Sequence, residues 1–135
     1  MTYGICHLSI VPLRSQPSDA SEMVSQVLLG EHFTVLEKTK KWSKIQIHLD
    51  HYEGYIDNKQ YIEIEKSLFN ELSASEYFYS SEILDYITSK DGHLSTISIG
   101  SRLPFLKENT FKIGNHQFSY EGAVFNGKLK KERHV

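Results

Sequence analysis

PLRSQPSDASEMVSQVLLGEHFTVLEKTKKWSKIQIHLDHYEGYID, running from Pro12 to Asp57, decides the fold. Leu13-Arg14 is read as opening a loop through Gln16-Pro17-Ser18. Proline presets φ for a turn there, and Ser18 and Asp19 can bond nearby backbone. An apolar strand is expected from Met23 to Leu29, and Gly30 turns it into Phe33-Thr34-Val35-Leu36. Trp42 starts an alternating strand in which Ser43, Ile45, Ile47 and Leu49 share one face and Trp42, Lys44, Gln46 and His48 the other. Three aliphatics on the first face make it the core face. Asp50-His51 reads as a hairpin tip, and Glu53-Gly54-Tyr55-Ile56-Asp57 closes a compact β-barrel.

Working outward, Tyr3 to Ile10 alternates in its middle as a half-buried strand would, with Ile5 and Cys6 on opposite faces and His7 sharing the face of Ile5. Leu68, Phe69 and Leu72 have helical spacing, so a short helix is expected near Ser67–Leu72 within a connector over 65–81. A strand over Glu82–Ile87, Asp91-Gly92 and the run Leu94–Ile99 read as a hairpin, because Asp-Gly between alternating apolar runs supplies the turn. Gly100 to Phe105 reads as a loop. Phe111-Lys112-Ile113 and Phe118-Ser119-Tyr120 form a second hairpin about Gly114-Asn115, and one more strand starts at Gly122-Ala123-Val124. The class is mainly β, with units at 1–64 and 82–135. Since a barrel of about 60 residues is marginal alone, the two units are expected to share an intimate interface.

Composition bounds the function. The 135 residues are 39% hydrophobic and 24% charged, as in a globular domain. The net charge of −2 argues against a nucleic-acid partner. Lys128, Lys130, Lys131 and Arg133 at the end read as a solvated linker. No run suits a membrane helix or a secretory signal, so the cytoplasm is the default compartment and the periplasm the alternative. The one cysteine, Cys6, excludes an intramolecular disulfide and a Cys-rich zinc site. His48 and His51 could meet across a bend, but without a third ligand they read as polar hairpin residues rather than a metal site. No cofactor is expected.

The Arg-containing loop with Pro17-Ser18, the Gly30 turn, Trp42 before a strand and the Gly54-aromatic pair resemble, in that order, the bacterial SH3 module. Tyr55 departs from it, since the module usually carries tryptophan there. Ile99-Gly100-Ser101-Arg102-Leu103-Pro104, Phe111-Lys112-Ile113-Gly114 and Tyr120-Glu121-Gly122 are similar to the region behind the first SH3-like module in cytoplasmic NlpC/p60-type cysteine peptidases with tandem SH3-like domains. The resemblance implies two small SH3-like barrels in tandem. It also implies a papain-like catalytic domain beyond the C-terminal run, and murein peptides of the L-Ala-γ-D-Glu-diamino acid type as ligand. In such enzymes the first module leans over the cleft and helps select a free N-terminal L-Ala.

A carboxylate is then needed for the ammonium and an aromatic wall for the pocket. Glu22, at the entry to the first long strand, is the candidate carboxylate, and Tyr52 the candidate wall. Catalysis by such a peptidase needs a cysteine at a helix start, typically in Asp-Cys-Ser-Gly, with a histidine partner. Cys6 lies between Ile5 and His7 and has neither, so it reads as a buried structural cysteine and the chain as catalytically incomplete. The alternative is a stand-alone binding module for a protein or wall ligand. Tyr3, Trp42, Tyr52 and Tyr55 could supply its aromatics, although the Ala-Leu-Tyr-Asp-Tyr opening of Pro-rich peptide binders is absent.

Overall fold

The computed structural model describes residues 1–75, 78–80, 84–98 and 100–126. Glu82, Ile83 and Ile99 of the expected strands, and the terminal run from Gly127 with its basic residues, lie outside the described residues.

The first half forms a seven-stranded antiparallel sheet from β1 (Thr2–Ile5), β2 (Ile10–Arg14), β3 (Met23–Leu28), β4 (His32–Lys38), β5 (Trp42–Ile47), β6 (Glu53–Asp57) and β7 (Ile62–Ile64). Their order is β3-β2-β6-β5-β4-β1-β7. The alternation in β5 puts Ser43, Ile45 and Ile47 inside. They meet Val11, Leu13, Val27, Phe33, Val35 and Ile56 in one buried cluster. Leu13 and Arg14 belong to β2 rather than to the loop expected there, because Leu13 fills this core while Arg14 pairs with Tyr55. The expected opening strand ends at Ile5, since Cys6 turns to bond the 30–31 backbone: its N–H donates to Glu31 O at 2.9 Å and its carbonyl accepts from Gly30 N–H at 2.9 Å.

Helix α1 (Lys66–Ala74) is longer than expected at both ends. The second half holds β8 (Phe78–Ser80), β9 (Leu84–Ser89), β10 (Leu94–Ser98), β11 (Thr110–Ile113), β12 (His116–Ser119) and β13 (Val124–Asn126). Both expected hairpins form, with Gly92 and Gly114 at positive φ in their turns. They assemble as a four-stranded sheet β10-β9-β12-β11, and β13 pairs with β8 in a separate two-stranded sheet. The sheets do not close on themselves, so the mainly β class stands while closed barrels in tandem are not what is seen.

The halves share a core. Ile5 and Leu29 pack with Leu72, Ile87, Ile97, Leu103, Phe111, Ile113 and Tyr120 in a second cluster, whereas Cys6 belongs to the first. Opposite faces at Ile5 and Cys6 therefore feed two different cores. Gly30 sits at the junction with φ +80°, and a Cβ there would lie 2.0 Å from the Arg102 carbonyl oxygen. Arg102 N–H in turn donates to Leu29 O at 2.8 Å.

The junction is locked by a buried polar network. Arg102 Nη1 donates to His32 Nδ1 at 2.9 Å, and Nη2 donates to Leu72 O at 2.8 Å and to Ser75 Oγ at 3.0 Å. The guanidinium thus satisfies a carbonyl in the last turn of α1, where a positive charge also opposes the helix dipole. A guanidinium can only donate, so His32 Nδ1 is the acceptor and the ring proton sits on Nε2, 3.0 Å from Ser73 Oγ. Burial, with the Arg102 and His48 charges, pushes the His32 pKa down to about 3.

Candidate functional site

Tyr52 follows the β5–β6 bend, where its N–H donates to Asp50 Oδ1 at 3.2 Å. The residue is 38% exposed, and its hydroxyl donates to Val24 O at 3.4 Å. It stands in a surface groove of about 400 Å³ with Gln16, Val24, Lys44, Glu53 and Tyr55. Register explains the grouping. Lys44 lies opposite Tyr55, and Gln46 opposite Glu53, on the outward face of β5 and β6. The Gly54 that separates Glu53 from Tyr55 lies against Leu13, where a Cβ would come within 2.5 Å of Leu13 Cγ. Only glycine lets β6 approach β2 this closely, and that approach brings Tyr55 opposite Arg14.

Glu22 is exposed and precedes β3, as expected. Its carbonyl accepts from the N–H of Ser15, a groove residue, at 2.9 Å. Its carboxylate does not line the groove; that of Glu53 does, 4.0 Å from Lys44 Nζ and 3.3 Å from Gln46 Nε2. Glu53 is thus the acidic residue nearest in register to the Tyr52 wall, a role the sequence pattern alone did not single out.

Cys6 is fully buried, and its thiol donates to Leu8 O at 3.2 Å. The His7 ring faces His116, with centroids 6.2 Å apart, on the side of the second core. Burial and the His116 charge lower the His7 pKa. His48 and His51 do approach each other, at 6.4 Å, but His48 stacks on His32 at 4.6 Å and meets Phe69 edge-on. Among the described residues no group of three histidine, cysteine, aspartate or glutamate side chains is placed to hold a metal.

Trp42 heads β5 on its outward face and lines a second, larger cleft of about 630 Å³ with Pro17, Asp19, Lys40, Lys41 and Lys59. The sequence reading weighed Trp42 as a ligand platform but missed these lysines. They come from two segments, the β4–β5 turn and the residues 58–60, up to 19 positions apart, and only the fold brings them together.

The span from Leu13 to Gln60, which contains the groove, both its bounding loops and Trp42, matches the family model of the bacterial dipeptidyl-peptidase SH3 domain over residues 13–60. This segment is similar to a bacterial SH3 domain. Across the whole chain, the fold is similar to the crystal structure of an NlpC/P60 family protein from Bacillus cereus ATCC 10987, with a TM-score of 0.72 and 15% sequence identity. The match covers 93% of this chain and 56% of that one, so the chain spans little more than half the length of that protein. At this identity the likeness is one of fold. No curated protein matches the sequence. The SH3 domain accounts for the order of loop, Gly30 turn, Trp42 strand and Gly54-Tyr55 pair, and the fold likeness extends over the SH3 domain and the second sheet together.

Proposed function

We propose that this chain is the non-catalytic SH3-like region of a cell-wall-peptide cysteine endopeptidase of NlpC/P60 type, two SH3-like units in tandem that shape the substrate pocket. The observation that supports this reading is the fold match along 93% of the chain to an NlpC/P60 family protein, 56% of which it covers. The ligand is a murein peptide, L-Ala-γ-D-Glu-diamino acid, held between the SH3 domain and a following catalytic domain. The cysteine of that domain attacks the amide after D-Glu. The Tyr52 ring forms a wall that limits the pocket, and Glu22 pairs with the free ammonium of L-Ala. A carboxylate desolvated against an ammonium discriminates strongly against an acetylated amine, which cannot pair with it. The setting is recycling of released wall peptides in the cytoplasm.

The test begins with the mass of the native gene product, followed by kinetics of the complete enzyme. A product longer by a domain of roughly 100–150 residues, with cleavage of L-Ala-γ-D-Glu-diaminopimelate, fits the proposal. Tyr52→Ala and Glu22→Gln should each reduce the preference for the free over the N-acetylated peptide, by about tenfold for the lost charge pair. Reactivity of the catalytic cysteine toward iodoacetamide should stay unchanged. If Glu53→Gln alters the preference and Glu22→Gln does not, the carboxylate role passes to Glu53. Tight binding of the isolated protein to intact sacculi, with no peptidase in the native product, would overturn the proposal in favour of a stand-alone binding module.

A further inference from the structure

The Trp42 cleft is separate from the Tyr52 groove, and its walls are built rather than incidental. On one side the loop Gln16–Ser21 is closed on itself. Ser18 N–H donates to Gln16 O at 2.8 Å, and the Ser21 hydroxyl lies 2.8 Å from Ser18 O and 3.0 Å from Gln16 O. On the other side Thr39 and Trp42 close the β4–β5 turn, where Thr39 N–H donates to Trp42 O at 2.8 Å. The 3-10 helix Asn58–Gln60 is tied to that turn: Asn58 N–H donates to Lys41 O at 2.8 Å and its Nδ2 to Thr39 O at 2.8 Å. The backbones that carry Lys40, Lys41 and Lys59 are therefore fixed relative to each other and to the half-buried Trp42.

The charges in the cleft are not matched. Lys38 and Lys44, which lie outside it, are paired with Glu63 and Glu53. Lys40, Lys41 and Lys59, which line it, have no ion pair among the described residues. Of the two aspartates present, Asp57 spends an oxygen capping the 3-10 helix at Lys59 N–H, 2.9 Å away. A fixed aromatic wall beside three unpaired ammonium groups, in a protein whose net charge is −2, is a local exception. It suits a ligand that brings carboxylates next to apolar groups.

We propose that the Trp42 cleft binds an acidic peptide segment, with Lys40, Lys41 and Lys59 pairing its carboxylates and the Trp42 ring covering an apolar side chain between them. Asp19 and Asp57 in the same cleft disfavour a polyanion such as nucleic acid, which presents charge at every step and no apolar side chain. Lysine ammonium groups, with no guanidinium among them, are point charges that follow carboxylates on a flexible peptide rather than a fixed bidentate geometry. The Pro-rich ligands of other SH3 domains want acidic rims, and here the rim is basic. This site does not depend on the murein-peptide reading of the Tyr52 groove.

The protein has one tryptophan, so its emission reports this cleft alone. The experiment titrates the full chain with an N-acetylated, amidated Glu-Glu-Leu-Glu peptide. The comparators are its Lys-Lys-Leu-Lys counterpart, a Pro-rich peptide and inorganic phosphate. The amide spectrum is followed in parallel, so that binding without an emission change is still seen at Lys40, Lys41 and Lys59. Saturable binding of the acidic peptide alone is expected, weakening steeply between about 0.05 M and about 0.5 M salt. The Lys40→Ala/Lys41→Ala variant should bind roughly tenfold more weakly with an unaltered melting temperature, since both side chains are exposed. Lys66→Ala/Lys112→Ala, which removes two exposed lysines outside the cleft, should bind as the parent does. Equal binding of the Pro-rich or basic peptide, of phosphate, or of the Lys40/Lys41 variant would overturn the proposal, as would no binding at all.

Discussion

Gly30 shows how much one position can demand. Its φ of +80° places it in the left-handed region, and any Cβ would sit 2.0 Å from the Arg102 carbonyl oxygen, a backbone atom with nowhere to go. The same glycine donates its N–H to Cys6 O and leads into buried Glu31, whose carboxylate accepts from Leu28 N–H at 2.8 Å. Gly30→Ala combines left-handed strain with a backbone clash at the meeting point of the two halves. It should lower stability by at least about 2 kcal/mol, read as a lower urea midpoint. Gly92 is the control, because it also has positive φ but meets nothing within 4 Å. Gly92→Ala should cost only the conformational strain, about 1 kcal/mol. Equal losses for the two variants would show that the close approach to Arg102 carries no weight. Cys6 presents the opposite case: its burial was legible from an apolar context with no helix start and no histidine on its own face. A thiol held against Leu8 O in a closed core should resist alkylation in the native state and react only on unfolding.

The strands of the first half were read correctly where two signals coincided. In β5 the alternation and the leading tryptophan agreed, and the strand forms at Trp42–Ile47 with the expected face inside. The β2 strand was missed because Arg14 and the following Pro17-Ser18 look like loop chemistry. Pairing with β3 and β6 overrides that local signal once Leu13 is buried. Strand β8 lay inside a stretch read as connector, since three residues without alternation carry no periodic signal; pairing with β13 creates it. The Arg102 network was illegible for a different reason. Arg102 and its partners His32, Ser75 and Leu72 are spread over 70 positions, and no spacing rule links them.

That network makes a pH prediction with a definite sign. His32 titrates near 3 in the folded protein, against about 6.5 in an unfolded chain. The unfolded state therefore binds more protons between these values, and stability falls as the pH is lowered through that window. The slope from this residue is up to about 1.4 kcal/mol per pH unit, and above about pH 6.5 it contributes none. His48 and His7 are shifted in the same direction, both by burial first, so they steepen the same limb. Urea denaturation at several pH values between 7.5 and 4 reads it. His32→Asn keeps an acceptor for Arg102 without a titrating ring, and its slope should be shallower by about one proton. An unchanged slope would mean that His32 is not the buried neutral group.

The two cores decide how the molecule unfolds. If they were independent, the SH3 domain and the second sheet would melt separately, each from a core small enough to be marginal. Ile5 and Leu29 prevent this by extending from the first half into the cluster built on Ile87, Ile97, Phe111 and Ile113. Arg102 adds the reverse link by reaching from the second half to His32. Withdrawing the second half would expose Ile5 and Leu29 and leave His32 without its guanidinium donor, so the first sheet would lose stability with its partner. The chain should therefore unfold in one transition that any core substitution displaces. Ile56→Ala, in the first core, and Ile113→Ala, in the second, should each cost roughly 2–5 kcal/mol. Both should shift tryptophan emission, which reports the first half through Trp42, and amide exchange of β11 and β12 by equal amounts. A second-core substitution that released β11 and β12 while leaving the Trp42 transition in place would show two domains in loose contact. Coincident shifts would mean that the second sheet holds the SH3 domain, its Tyr52 groove and its Trp42 cleft in working shape from behind.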